Sequence, residues 1–176
     1  MTPGQQSIVL IGMMGAGKSS VGRCLQRKTG LVCFDTDEIV SARFGVSIPD
    51  IFSKFGEEAF RQAETAALAE LDPVVPAIVV TGGGVVLREE NRQHLKRLGV
   101  VVWLEAEAST LLERASRRGN RPLLQTEDPS RTISEMLQNR RPLYTEVADV
   151  RVNTTNCSHE EVADTVLASM NGRSSI

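Results

Sequence analysis

The chain has 176 residues, 41% hydrophobic and 24% charged, with a net charge of −2 at pH 7. That length suits one domain with a full apolar core, and the charge balance offers no electrostatic case for nucleic acid or an anionic membrane as partner. Three cysteines (Cys24, Cys33, Cys157) lack metal-ligand spacing and the two histidines do not cluster, so the thiols are expected to be reduced packing groups in a cytoplasmic protein.

Residues 7–11 form an apolar run, and the longer apolar stretch from Ile8 to Met14 is too short to span a bilayer and lacks the basic flank of a signal peptide. The run over 7–11 reads as a first strand. Directly after it comes Gly12-Met-Met-Gly-Ala-Gly17-Lys18-Ser19, a GxxxxGK[ST] phosphate loop, and then an amphipathic helix over 18–29 that stops at Gly30. Strand, glycine loop and helix in that order are the context such a loop requires. Its backbone N–H groups can line a concavity for phosphate oxygens, aided by the helix dipole. Lys18 would meet the β- and γ-phosphates and Ser19 would take Mg²⁺.

A second, more mixed strand over 31–35 ends in Asp35-Thr36-Asp37. In a doubly wound sheet, strand carboxyl ends face the ligand crevice. The third strand ends without a carboxylate, so Asp35 is the nearest acid for the outer shell of the metal. Asp37 could then receive the hydrogen bond or proton of an attacking hydroxyl. Thr36 or Asp37 could equally cap the helix that follows.

Residues 36–72 read as a purely helical insertion. All five phenylalanines (Phe34, Phe44, Phe52, Phe55, Phe60) lie in it or at its edge, as a small local core and as aromatic walls for a small substrate. A third strand over 77–81 runs into Gly82-Gly83-Gly84, which leaves room for substrate to lie against main chain. A fourth strand covers 100–104. Residues 116–128 carry Arg117, Arg118, Gly119, Arg121 and Pro122 with little apolar periodicity, and read as an arginine-bearing lid. Pro129-Ser130 opens a helix toward Arg141, and a fifth strand covers 149–153. Ser158-His-Glu-Glu161 is a capping box, followed by Val162, Val166 and Met170 on one helix face. Near-continuous apolar strands alternating with helices predict an α/β fold, a doubly wound parallel five-stranded sheet covered by helices.

Taken together, the phosphate loop, the FDTD segment ending at Asp37, Gly56-Glu-Glu-Ala-Phe-Arg61-Gln-Ala-Glu64, TGGG, Arg121-Pro-Leu-Leu124 and Arg140-Arg-Pro-Leu-Tyr144 resemble the shikimate kinase family in order and spacing, over essentially the whole chain. The resemblance implies ATP-dependent phosphorylation of the shikimate 3-hydroxyl, on the route to chorismate and the aromatic amino acids. It implies that Asp37 holds the ring hydroxyls and assists attack, and that Arg61 and Arg140 grip the carboxylate. Gly82, Gly83 and Gly84 would border the acceptor. ATP contacts would come from Gly15, Ala16, Gly17, Lys18, Ser19 and Ser20, with Arg114 along the adenine and the lid residue Arg121 on the phosphates. Mg²⁺ would sit at Ser19, with Asp35 reached through water. The segment Asn153-Thr-Thr-Asn156 departs from members that carry an arginine there, which leaves its adenine contacts open. The expected partners are small molecules, with the protein acting as a monomer.

The residues themselves argue for the same class. Phosphoryl transfer needs positioning and charge neutralisation, a small hydroxy acid needs bidentate arginines, and a lid protects the γ-phosphoryl from water. A gluconate or nucleoside monophosphate kinase is the nearest rival, disfavoured by FRxxE and the triple glycine. A GTP switch would need Asn-Lys-x-Asp, and none of the four lysines follows an asparagine. A dinucleotide-binding GxGxxG starting at Gly15 fails because position 20 is serine. A catalytically dead binding module would not need every polar position of the site filled.

Overall fold

The computed structural model describes residues 6–72, 74–117 and 122–173. Five parallel strands make one sheet: β1 (Ile8–Ile11), β2 (Val32–Asp35), β3 (Ala77–Val80), β4 (Val100–Glu105) and β5 (Val150–Asn153), in the spatial order β2-β3-β1-β4-β5. Between and after them come α1 (Lys18–Thr29), α2 (Thr36–Phe44), α3 (Ile48–Glu70), α4 (Glu89–Leu98), α5 (Ala108–Arg117), α6 (Pro129–Val147) and α7 (His159–Arg173).

Burial follows strand position. The inner strands β1 and β3 are buried throughout and β4 nearly so, whereas the edge strands β2 and β5 are only partly covered. Its edge position accounts for the mixed sequence of β2. The last strand differs from expectation: Val152 is buried while Arg151 and Asn153 are exposed, so β5 covers one face only. Helix α1 packs on β3 and α7, while α4 and α6 pack on β4. Gly22 lets α1 approach closely, since a Cβ there would lie 2.6 Å from Val80 Cγ2.

Local signals set the helix ends. Gly30, at φ 73°, closes α1 and donates to Gln26 O at 2.8 Å. The capping box forms as read: Glu161 N donates to Ser158 Oγ at 3.2 Å and Ser158 N to Glu161 Oε2 at 2.8 Å. Asp128 caps α6 by accepting from Arg131 N at 3.0 Å. That helix does not stop at Arg141 but runs through Pro142 to Val147. Proline forfeits one backbone bond, yet Tyr144 and Val147 are buried against the core and retain the final turns.

The helical insertion carries its own core of Val40, Ile51, Phe60 and Ala67, with Phe44 and Phe52 packed against it. Within α3 the backbone breaks at Gly56, at φ 83° and ψ 166°, so the stretch bearing Arg61 starts afresh. Phe55, half exposed, pairs with Phe44 at 5.1 Å.

The three cysteines are free thiols. Burial pushes the Cys33 thiol up to about 11, and buried Cys24 is also raised, chiefly by desolvation. Cys157 departs from the packing expectation: it is exposed and borders a cavity. Among the described residues no helix is long and apolar enough to cross a membrane.

Candidate active site

The carboxyl ends of β1, β2 and β3 deliver three segments to one crevice: the phosphate loop, Asp35 to Asp37, and Thr81 to Gly84. In the loop, Gly15 and Gly17 take φ 82° and 90°, and Ala16 N bonds Met13 O at 3.1 Å. Lys18 is buried, with Nζ donating to Gly12 O at 2.7 Å and Met13 O at 3.0 Å. A Cβ on Gly15 would sit 2.3 Å from the backbone oxygen of Leu111. Gly15→Ala combines a strained φ with a backbone clash, each worth about 1–3 kcal/mol. The variant is expected to lose about 2–4 kcal/mol of stability on those grounds, and to bind nucleotide at least about tenfold more weakly. Chemical denaturation and a nucleotide titration check both.

Asp35, rather than Thr36 or Asp37, caps α2. Its Oδ1 accepts from Asp37 N at 3.0 Å, and its Oδ2 accepts from Ser19 Oγ at 3.1 Å. A carboxylate can serve both because each oxygen has its own lone pairs. The pair Ser19 and Asp35 is a hard-oxygen set suited to Mg²⁺. Among the described residues no three His, Cys, Asp or Glu side chains gather as a metal cluster. An ion at Ser19 would therefore draw its other ligands from phosphate and water, which is how Mg²⁺ ordinarily binds beside nucleotides.

Two cavities meet at these segments. The first, of about 400 Å³, is bordered by Gly15, Gly17, Lys18, Ser19, Arg114 and Arg117 on one side and by Cys157, Ser158 and His159 on the other. Arg114 donates to Thr154 Oγ1 (3.1 Å), Thr154 O (2.7 Å) and Thr155 O (3.1 Å), which ties α5 to the segment that departs from the family pattern. Ala16 is buried, and Ser20 accepts from Arg23 at 3.4 Å on α1; neither borders the cavity. The second cavity, about 70 Å³, is walled by Phe52, Phe60, Arg61, Arg140 and the three glycines, with Pro122 and Leu123 at its mouth. Met14, Asp37 and Gly83 border both. The Arg121 expectation, and most of the arginine run of the expected lid, lie outside the described residues.

Besides bordering the second cavity, the triple glycine makes room within the protein itself. A Cβ at Gly82 would fall 2.4 Å from Glu64 Oε1 and 2.9 Å from Asp37 Oδ1, and one at Gly84 would fall 2.4 Å from Arg61 Nη1. At Gly83 the neighbour is phosphate-loop backbone, with Met14 N at 3.1 Å. The glycines thus make room for the protein's own charged side chains. Arg61 is buried and held by two glutamates, Glu57 at 3.0 Å and fully buried Glu64 at 3.0 Å. Burial raises the Glu64 carboxyl above its ordinary value, against the opposing pull of the Arg61 charge. Among the described residues Glu64 Oε1 accepts no hydrogen bond. Glu64 had no assigned role in the sequence, although Arg61-x-x-Glu64 is the spacing at which helical side chains meet.

Arg140, also buried, makes no ion pair among the described residues. Its Nη1 approaches Met13 Sδ at 3.8 Å. A second unforeseen contact lies one turn on, where the Tyr144 hydroxyl donates to Gly83 O.

A phosphate-loop cavity beside a second one walled by buried arginines, at the carboxyl ends of the strands of a parallel sheet, defines a P-loop kinase of small molecules. A family model described as shikimate kinase matches residues 14–171. A shikimate kinase from Thermodesulfovibrio yellowstonii is 44% identical over 162 residues, covering 92% of this chain and 93% of that protein. One from Pseudomonas syringae is 46% identical over 149 residues, 85% of this chain and 87% of that protein. The solved shikimate kinase from Acinetobacter baumannii in complex with shikimate shares 38% identity with a TM-score of 0.91, covering 96% of this chain and 94% of its own. The chain belongs to the shikimate kinase family.

Proposed function

We propose that the protein transfers the γ-phosphoryl group of ATP to the 3-hydroxyl of shikimate, releasing ADP and shikimate 3-phosphate. The observation that carries this reading is Arg140. A buried guanidinium that makes no ion pair among the described residues, in a small cavity that shares Met14, Asp37 and Gly83 with the phosphate-loop cavity, calls for a small anionic acceptor. A buried charge is costly unless closely paired, and a planar carboxylate matches the guanidinium fork.

In this reading the acceptor carboxylate pairs with Arg140 and with Arg61, which Glu57 and Glu64 hold in place. The ring hydroxyls face Asp37, which takes the proton of the 3-hydroxyl as its oxygen bonds to the γ-phosphorus and the bond to ADP breaks. Lys18 and the loop N–H groups neutralise the phosphate oxygens, as Arg121 of the lid would on the far side. Ser19, with Asp35 through water, would hold Mg²⁺, which supplies charge neutralisation at those oxygens when bound. Arg114 and the Thr154 segment flank the adenine. The work is positioning and electrostatics in a site closed to water.

The direct test is ADP release, with Mg²⁺ and ATP, across shikimate, gluconate and nucleoside monophosphates. Turnover with shikimate at least about a hundredfold above the others is expected, the discrimination a site loses when its buried polar groups go unpaired. Preference for another acceptor overturns the reading. The arginines provide a finer check. Arg140→Lys and Arg61→Lys lose a planar fork and should each raise the shikimate KM about 10- to 100-fold, with the ATP KM shifting less than about twofold. Equal rises for both substrates would contradict the assignment of these arginines to the acceptor.

A further inference from the structure

We infer that Tyr144 is a positioning residue for this transfer: its one hydroxyl fixes the Gly83 carbonyl, keeping the acceptor cavity in register with the phosphate loop. The inference rests on the acceptor reading of that cavity. Tyr144 lies one helical turn after Arg140 on α6, with its side chain fully buried. Its ring stacks on Trp103 of β4, centroids 5.4 Å apart and planes 23° apart, so the hydroxyl has a fixed point of departure. The hydroxyl donates to Gly83 O, across 61 positions of sequence. The positive charge of Arg140, one turn back on the same helix, acts on the phenol electrostatically.

Burial holds the phenol well above its ordinary pKa, so it stays a donor throughout the working range of an enzyme. What it holds is the junction of the two cavities. Gly83 lies against phosphate-loop backbone, and Arg140 touches Met13 of the same loop. Fixing the Gly83 carbonyl also turns the next N–H, that of Gly84, away from Tyr144, because a trans peptide sets the two groups on opposite sides. Gly84 borders the acceptor cavity. Without the hydroxyl the Gly83 carbonyl loses its donor in a dry site, which favours rotated alternatives of that peptide.

Tyr144→Phe keeps the ring and its stack on Trp103 and removes only the oxygen. The shikimate KM is expected to rise about tenfold, the cost of leaving a buried acceptor without its donor, with the ATP KM at saturating shikimate within about twofold of the wild type. An unchanged shikimate KM, or equal rises for both substrates, overturns the inference. Equal rises are the mark of a merely structural role. The assays are run well below the melting transition of the variant, so lost stability does not enter. A second measurement uses the fact that the chain has a single tyrosine. With 3-fluorotyrosine incorporated, the one ¹⁹F resonance belongs to position 144 and is expected to shift when shikimate alone is added; no shift overturns the inference. If the wild-type enzyme prefers another acceptor, the functional reading fails by itself, and the same KM comparison with that acceptor still decides on Tyr144.

Discussion

Asp37→Asn is expected to lower kcat with shikimate by about 10²- to 10⁴-fold, the usual contribution of a positioned acid–base group, while ATP affinity stays near that of the wild type. The carboxylate borders both cavities, at the point where a hydroxyl and a γ-phosphate would meet. The backbone N–H of Asp37 is bound by Asp35, and the missing Cβ of Gly82 leaves room for Oδ1. Asparagine keeps that shape and can still accept a hydrogen bond from a ring hydroxyl. It cannot accept the proton. The loss should therefore fall on kcat, with shikimate binding changed less. Steady-state kinetics with calorimetric titration of nucleotide separate the two. Near-normal turnover would remove Asp37 from the chemistry.

Lys18→Ala is expected to lower kcat by about 10²- to 10³-fold with any acceptor, the scale seen when one preorganised donor to a developing charge is removed. The ammonium group sits at the base of the nucleotide cavity, buried and bonded to the carbonyls of Gly12 and Met13. In the proposed reaction it would reach the phosphates by exchanging those carbonyls for phosphate oxygens, a short movement of a flexible side chain. Shikimate binding in the absence of nucleotide should be unaltered, since Lys18 does not border the acceptor cavity. Fluorine-free binding assays such as calorimetry, with circular dichroism as a check on folding, test this. Weaker shikimate binding would mean that Lys18 acts on the acceptor directly.

Much of the fold could be read locally. The phosphate loop, Gly30 at the end of α1 and the capping box of α7 each depend on a few adjacent residues, and each forms as its pattern requires. Strand burial was legible for β1, β3 and β4, whose apolar runs need cover on both faces. What escaped depended on distant neighbours. Pro142 reads as a stop, and only the burial of Tyr144 and Val147 explains why α6 continues. The cap of α2 by Asp35 is a local contact, but its second bond, from Ser19, joins positions sixteen residues apart. The glycines after β3 suggested room for substrate, but nothing local says that Glu64, Asp37 and Arg61 occupy that room. Arg61 and Arg140 came through family resemblance rather than periodicity, and the geometry adds that one is held by glutamates while the other makes no ion pair among the described residues.

The stacked pair of Trp103 and Tyr144 has a further consequence, because the chain contains one tryptophan and one tyrosine in all. Its long-wavelength ultraviolet absorption and intrinsic emission therefore originate at a single spot, where α6 meets β4. Trp103 is 1% exposed, with the Arg151 guanidinium 4.7 Å from its ring centroid on β5. Excitation energy absorbed by the phenol passes to an indole in contact with it, so tyrosine emission should be almost absent from the folded protein and appear as the pair separates. A red-shifted indole band on melting would time the opening of this one junction, and far-ultraviolet dichroism would time the loss of helices everywhere else. Coincident curves from the two signals would mark the sheet and its helices as one cooperative unit.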